Sequence, residues 1–88
     1  MNRIQEVVIK PIRPQQGLIG FVSFVLDGSL FVSSIGLHER LDGQGYRLTY
    51  PTKKCGTTNI ELFHPITREL SKEIESMVFA EAMRLFRK

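Results

Sequence analysis

Apolar and polar positions along this chain follow one period for its first two thirds and another for its last. "IQEVVIKPI" is dominated by β-branched residues, and Pro11 and Pro14 then close the run. A proline cannot donate to a strand ladder, so this segment belongs at a sheet edge or a strand end. "GLIGFVSFVL" (17–26) is apolar on both faces, with Leu18, Val22, Phe24 and Leu26 on one and Ile19, Phe21 and Val25 on the other. That pattern predicts a central strand with something packed against each side. "DGS" at 27–29 predicts a tight hairpin, because Asp-Gly supplies the positive φ such turns need. "LFVSSIGLHE" (30–39) returns as its partner, "LDGQG" (41–45) turns again, and "YRLTYP" alternates. A loop from Lys53 to Thr58 leads into "NIELFHP", a short last strand over 60–64 stopped by Pro65.

The period then changes. Leu70, Ile74, Met77, Val78, Ala82, Leu85 and Phe86 recur at helical spacing and predict one amphipathic helix of about five turns. Thr67 is its expected N-cap, with its hydroxyl meeting free amides of the first turn. Arg84, Arg87 and Lys88 fall where the helix dipole favours cations, and Phe79 and Met83 make part of a second face apolar. Five strands followed by one helix predict an α+β domain with a mainly antiparallel sheet, spanning residues 1–88. One helix covers one face of such a sheet. The other face would stay wet in a monomer, so a homodimer is expected.

Composition adds limits. The chain has 88 residues, of which 42% are hydrophobic and 24% charged, so it is read as one globular domain with a thin core. "MNRIQEVVIKPIRP" lacks a continuous apolar region and nowhere do eighteen apolar residues run together, so neither a signal peptide nor a membrane span is expected. The single cysteine, Cys55, cannot close an intramolecular disulfide, which fits a reducing, cytoplasmic setting. Twelve lysines and arginines against nine acids give a net charge of +3, which permits an anionic partner without requiring one.

Catalytic chemistry finds little support. Cys55 and His64 are nine residues apart with no third orienting group evident, although activation of the thiol by Lys53 and Lys54 is conceivable. One cysteine with His38 and His64 shows no metal-ligand spacing, and no glycine-rich loop opens the helix to hold a nucleotide. No enzyme activity, cofactor or small-molecule substrate is therefore expected. "GLIGFVSF" matches half of the RNA-recognition-motif pattern at Gly20, Phe21, Val22 and Phe24. That motif lies late in its own fold, after a helix, whereas here only a strand precedes it, so these aromatics are assigned to the core. The basic positions remain: Lys53 and Lys54 in the loop, Arg68 and Lys72 one turn apart at the helix start, and Arg84 near its end. Phosphate contact and simple solubilising charge are both open readings of them.

"LDGSLFVSSIGL", then "YPTKK", then "FHPIT…I…V…E…RL" together resemble the SpoVG family of small bacterial septation regulators. The resemblance runs from about Ile4 to Leu85 in the same order. It implies a dimeric sheet-plus-helix protein that binds DNA and RNA and affects septation, sporulation or envelope genes. It also implies that Pro51, Thr52, Lys53 and Lys54 form a basic loop, that His64, Pro65 and Ile66 form the step into the helix, and that Ile74, Val78, Glu81, Arg84 and Leu85 lie on that helix. The sequence departs from the family pattern at Ser71, where an arginine is usual, and at "SSIG", where charged residues are usual. Arg68 and Lys72 are candidates to replace that arginine. A protein-interaction module of the same fold is the alternative function.

Overall fold

A computed structural model of the chain describes residues 3–43 and 45–86; the expected C-terminal cations Arg87 and Lys88 lie outside the described residues. The fold is α+β, with strands β1 (Ile4–Gln15), β2 (Leu18–Leu26), β3 (Leu30–Glu39), β4 (Tyr46–Thr49), β5 (Thr52–Cys55) and β6 (Thr58–Glu61), followed by helix α1 (Arg68–Leu85). β1 to β4 form one antiparallel sheet in sequence order, and β5 pairs β6 in a separate two-stranded sheet. The expected single sheet of five strands is thus four strands plus an independent hairpin. "NIELFHP" supplies strand only as far as Glu61, because from Leu62 onward the chain leaves the ladder to reach the helix.

Pro11 and Pro14 do not end β1, which runs through both to Gln15. β1 is an edge strand, so a missing amide on its outer side costs no ladder bond, and a register shift between Pro11 and Gln15 absorbs the rest. Two further irregularities set the shape of the sheet. Glu6 and Ser34 both have positive φ, and each lies in a stretch where two residues oppose one on β2. These are β-bulges, which bend a strand and raise its twist. A third shift, at Leu18–Gly20, exchanges the faces expected for two neighbours. Ile19 turns into the core, while Leu18 lies on the opposite face beside Gly36. A Cβ at Gly20 would stand 2.9 Å from the Lys10 carbonyl oxygen, so glycine there lets β1 and β2 close up.

Helix α1 begins where expected. Thr67 is extended (φ −116°, ψ 149°), and its hydroxyl accepts a hydrogen bond from the Leu70 amide at 3.2 Å. At the other end the Phe86 amide donates to the Ala82 carbonyl at 2.8 Å. Ile74, Val78 and Ala82, four residues apart, are its buried row. They pack against Ile4, Ile9, Val22, Phe24, Ile35 and Leu37 from one face of the sheet. Leu70, Met77 and Phe86 flank this row, and Phe79 meets the ring of Tyr46 at 6.1 Å, whereas Leu85 is exposed, contrary to the expected stripe. The helix backbone comes closest to the edge strands β1 and β4, so the sheet cups it. Among the described residues no helix is long and apolar enough to cross a membrane.

Burial predicts which helix positions matter. Ile74→Ala should lower stability by about 2–5 kcal/mol, and Leu85→Ala by under about 1 kcal/mol. Urea unfolding followed by circular dichroism measures both. Equal effects would show that the buried row has been assigned to the wrong helix face.

Candidate nucleic-acid interface

The lysine pair lies on a strand, not in a loop. Lys53 and Lys54 sit in β5, paired in register with Ile60 and Asn59 of β6, and every residue of both strands is exposed. Gly56, with φ +64°, makes the reversal between Cys55 and Thr58. Neighbouring residues of a strand point to opposite faces, so the hairpin carries one lysine on each side. Its base is held by the Leu62 amide donating to the Pro51 carbonyl at 3.0 Å, and by the edge-on contact of Tyr50 with Phe63 at 6.3 Å. The hairpin is an arm: anchored at its root, with solvent on both faces.

Tyr50 is half-buried at that root, and its hydroxyl has no hydrogen-bond partner among the described residues. Burial, with the charge of Glu75 added, pushes its phenol up to about 12. His64 binds locally, its Nδ1 standing 2.6 Å from a carboxylate oxygen of Glu61. The one acid of the arm is therefore occupied by its neighbour. Cys55 is exposed at the end of β5. Among the described residues, no group of three or more His, Cys, Asp or Glu side chains is placed to hold a metal ion.

Arg68 and Lys72, one turn apart, share a face of the helix start and border a shallow depression with Pro65, Thr67, Ser71 and the acid Glu75. Glu73, which follows Lys72, is drawn instead toward Arg3, whose guanidinium lies 3.9 Å from it and 3.2 Å from Asp27. Among the described residues Lys53, Lys54, Arg68 and Lys72 make no salt bridge. Arg84 differs. Its guanidinium makes two hydrogen bonds to the carboxylate of Glu81, one of them 3.1 Å from Nε, which holds Arg84 above and Glu81 below their ordinary pKa values. Sixteen residues along the helix, it also stands about 24 Å from Arg68. The arm and the helix start present free cations; Arg84 is neither free nor near them.

The face of the sheet away from the helix is the larger departure from expectation. Phe24 is core, at 1% exposure, but Phe21 is 42% exposed and Phe31 68%. Both lie on the uncovered face, where Phe21 is in register with Lys10 and Gly36, and Phe31 with Val25. The assignment of "GLIGFVSF" aromatics to the core therefore holds for Phe24 and fails for Phe21. The signal was in the sequence: with one helix available, alternate positions of a central strand had nothing to cover them. Farther along the same face His38 Nε2 stands 3.0 Å from the Thr49 hydroxyl, across Gly36, where a Cβ would be 2.5 Å from that oxygen. His38 Nδ1 is buried without a hydrogen-bond partner among the described residues.

In comparison with known proteins, the chain matches no family model and no curated protein.

Partial burial first, and the nearby charge of Arg47 second, hold the His38 imidazole below its ordinary pKa of 6.5. A depressed histidine contributes stability that is complete above the unfolded value, about 6.5, and is lost as pH falls through the folded value. The His38 ring should titrate by NMR below 6.5, and the corresponding loss of stability in mild acid should disappear in His38→Gln. A midpoint at or above 6.5 would contradict this environment.

Proposed function

We propose that this protein is a non-enzymatic, dimeric nucleic-acid-binding regulator that contacts phosphates through its arm and its helix start. One observation carries the proposal: Lys53 and Lys54 project from opposite faces of an exposed two-stranded ribbon, and neither is neutralised by a carboxylate. A ribbon of two strands fits the major groove of a duplex, whose two walls are lined by phosphates. A lysine on each face then meets a wall on each side. Arg68 and Lys72 add a second point of contact, and Arg84, paired with Glu81, contributes less than its position on the helix suggested. The motif order shared with the SpoVG family supports the same assignment and supplies its biological setting: a cytoplasmic role in septation, sporulation or envelope gene expression.

The homodimer was expected to cover the open face of the sheet; the second copy is proposed instead to pair along β3, which leaves that face open. β4 covers that strand only from Gly36 to Glu39, so among the described residues the outer edge of its first six residues has no strand beside it. Such an edge is a template for another strand. An apolar groove of about 350 Å³ adjoins it, lined in part by Leu30, Phe31, Tyr50, Phe63 and Leu70. The same groove favours the alternative function, a module that binds a protein partner and no nucleic acid.

Salt separates the two functions, since phosphate contacts weaken steeply with ionic strength and apolar ones do not. Replacing Lys53 and Lys54 together by alanine should weaken binding about equally for all sequences and reduce the log-affinity against log-salt slope by roughly 1–2 per protomer. Because the two side chains serve opposite faces, each single replacement should give about half of the effect. Exposed lysines add little stability, so the fold should be unchanged. Unchanged affinity and slope in the folded double variant would reject the arm and favour the protein partner. Light scattering should give twice the protomer mass of 10.1 kDa at micromolar concentration, and a single-protomer mass throughout would reject the dimer.

A further inference from the structure

The face of the sheet opposite the helix has no place in the phosphate contacts proposed above. It holds a shallow cleft of about 410 Å³ whose lining includes Val8, Lys10, Phe21, Ser23, Phe31 and Ser33. Phe31 also lines the apolar groove beside β3, so it stands where the two depressions meet. Phe21 pairs with Gly36, and Phe31, the second residue of β3, lies five residues earlier on that neighbouring strand. With about 3.3 Å per strand residue and one bulge between them, the two backbone positions are roughly 13 Å apart along the strand direction. That is about the span of two extended nucleotides. Between the rings the floor carries the hydroxyls of Ser23 and Ser33, small groups able to donate to or accept from a base edge.

The charge of the face is one-sided. Lys10 lies in register with Phe21 and lines the same cleft, and among the described residues none that lines it is acidic. Arg47 adds a cation to the same face from the opposite edge strand, β4: it pairs with His38, and the alternate pair Leu37–Leu48 faces the core. An apolar protein surface has no use for this cationic border. A polyanion with flat apolar groups does.

We infer that this sheet face binds a single-stranded nucleic acid, with bases stacked on Phe21 and Phe31 and the backbone held by Lys10 and Arg47. Stacking on an aromatic side chain needs an unpaired base, because a base within a duplex offers no free face. The arm and this face therefore divide the work: the arm takes phosphates of either form, and the face takes unpaired bases. The inference rests on the nucleic-acid function proposed above and can fail without it.

The chain contains no tryptophan, so Phe21→Trp places a single reporter at the site. Titration of the full-length variant with twelve-nucleotide oligo(dT) and oligo(U) should quench its fluorescence as the indole stacks. A duplex of the same length should leave the fluorescence unchanged. In anisotropy measurements, Phe21→Leu and Phe31→Leu should each weaken single-strand binding about 5- to 150-fold and leave duplex binding unaltered. Lys53→Ala with Lys54→Ala should weaken both. Phe31, the more exposed ring, serves as the second variant should Phe21→Leu perturb the fold. Single-strand binding that is insensitive to both leucine variants, with no quenching in Phe21→Trp, would overturn the inference while leaving the arm intact. A leucine variant that halves the particle mass without changing oligonucleotide affinity would instead assign the face to a second copy. Absence of binding to either form by the unaltered protein would remove both proposals.

Discussion

Everything else in the structure depends on one seam, where Ile74, Val78 and Ala82 of a single helix seat against one face of a four-stranded sheet. An 88-residue chain has few residues to spend on a core, and this seam uses nearly all of the fully buried ones. Its consequences are geometric. The face under the helix is dry and apolar, the opposite face has no cover among the described residues, and the β5–β6 arm lies outside the core altogether. Function can reside in the last two regions because neither is needed to hold the first together.

The cupped shape of the sheet is made by local irregularities. Bulges at Glu6 and Ser34, both non-glycine residues at positive φ, and a third shift at Leu18–Gly20 bend the strands. Such φ values carry a conformational cost, sustained only where the surrounding ladder fixes them. The salt bridges help little, since they are solvent-exposed and screened. Arg3 has a positional role instead, linking the start of β1 to the Asp27 turn and to the helix through Glu73.

Periodicity made the helix legible from residues alone, down to Thr67 as its cap, and alternation with Asp-Gly turns made β2, β3 and β4 legible. What escaped was whatever depends on neighbours in space. Pro11 and Pro14 look like strand breakers until β1 is known to be an edge. Ile19 and Leu18 exchange faces only because a bulge intervenes, and "TKKC" reads as a loop because nothing in its sequence shows Asn59 and Ile60 beside it. The basic candidates were legible as residue types, yet their worth was not: Lys53 and Lys54 turned out to face opposite ways, and Arg84 to be tied to Glu81. Phe21 shows the same limit from the other side. Its motif was visible, but whether an aromatic in a strand is core or platform depends on where helix α1 lies.

The proposed regulator thus has a rigid body and two working surfaces of different chemistry: a cationic ribbon for phosphates and an aromatic face with a cationic border for bases. The central claim is that these surfaces, and not the helix seam or the groove beside β3, meet nucleic acid. Amide chemical-shift mapping during titration with a single-stranded twelve-nucleotide probe at low salt tests it most directly. The account predicts perturbations gathered at residues 52–61, at the start of α1, and on the Lys10–Phe21–Phe31 face, reversing as salt is raised. Perturbations confined to Leu30, Tyr50, Phe63 and Leu70, or no perturbation at all, would contradict it.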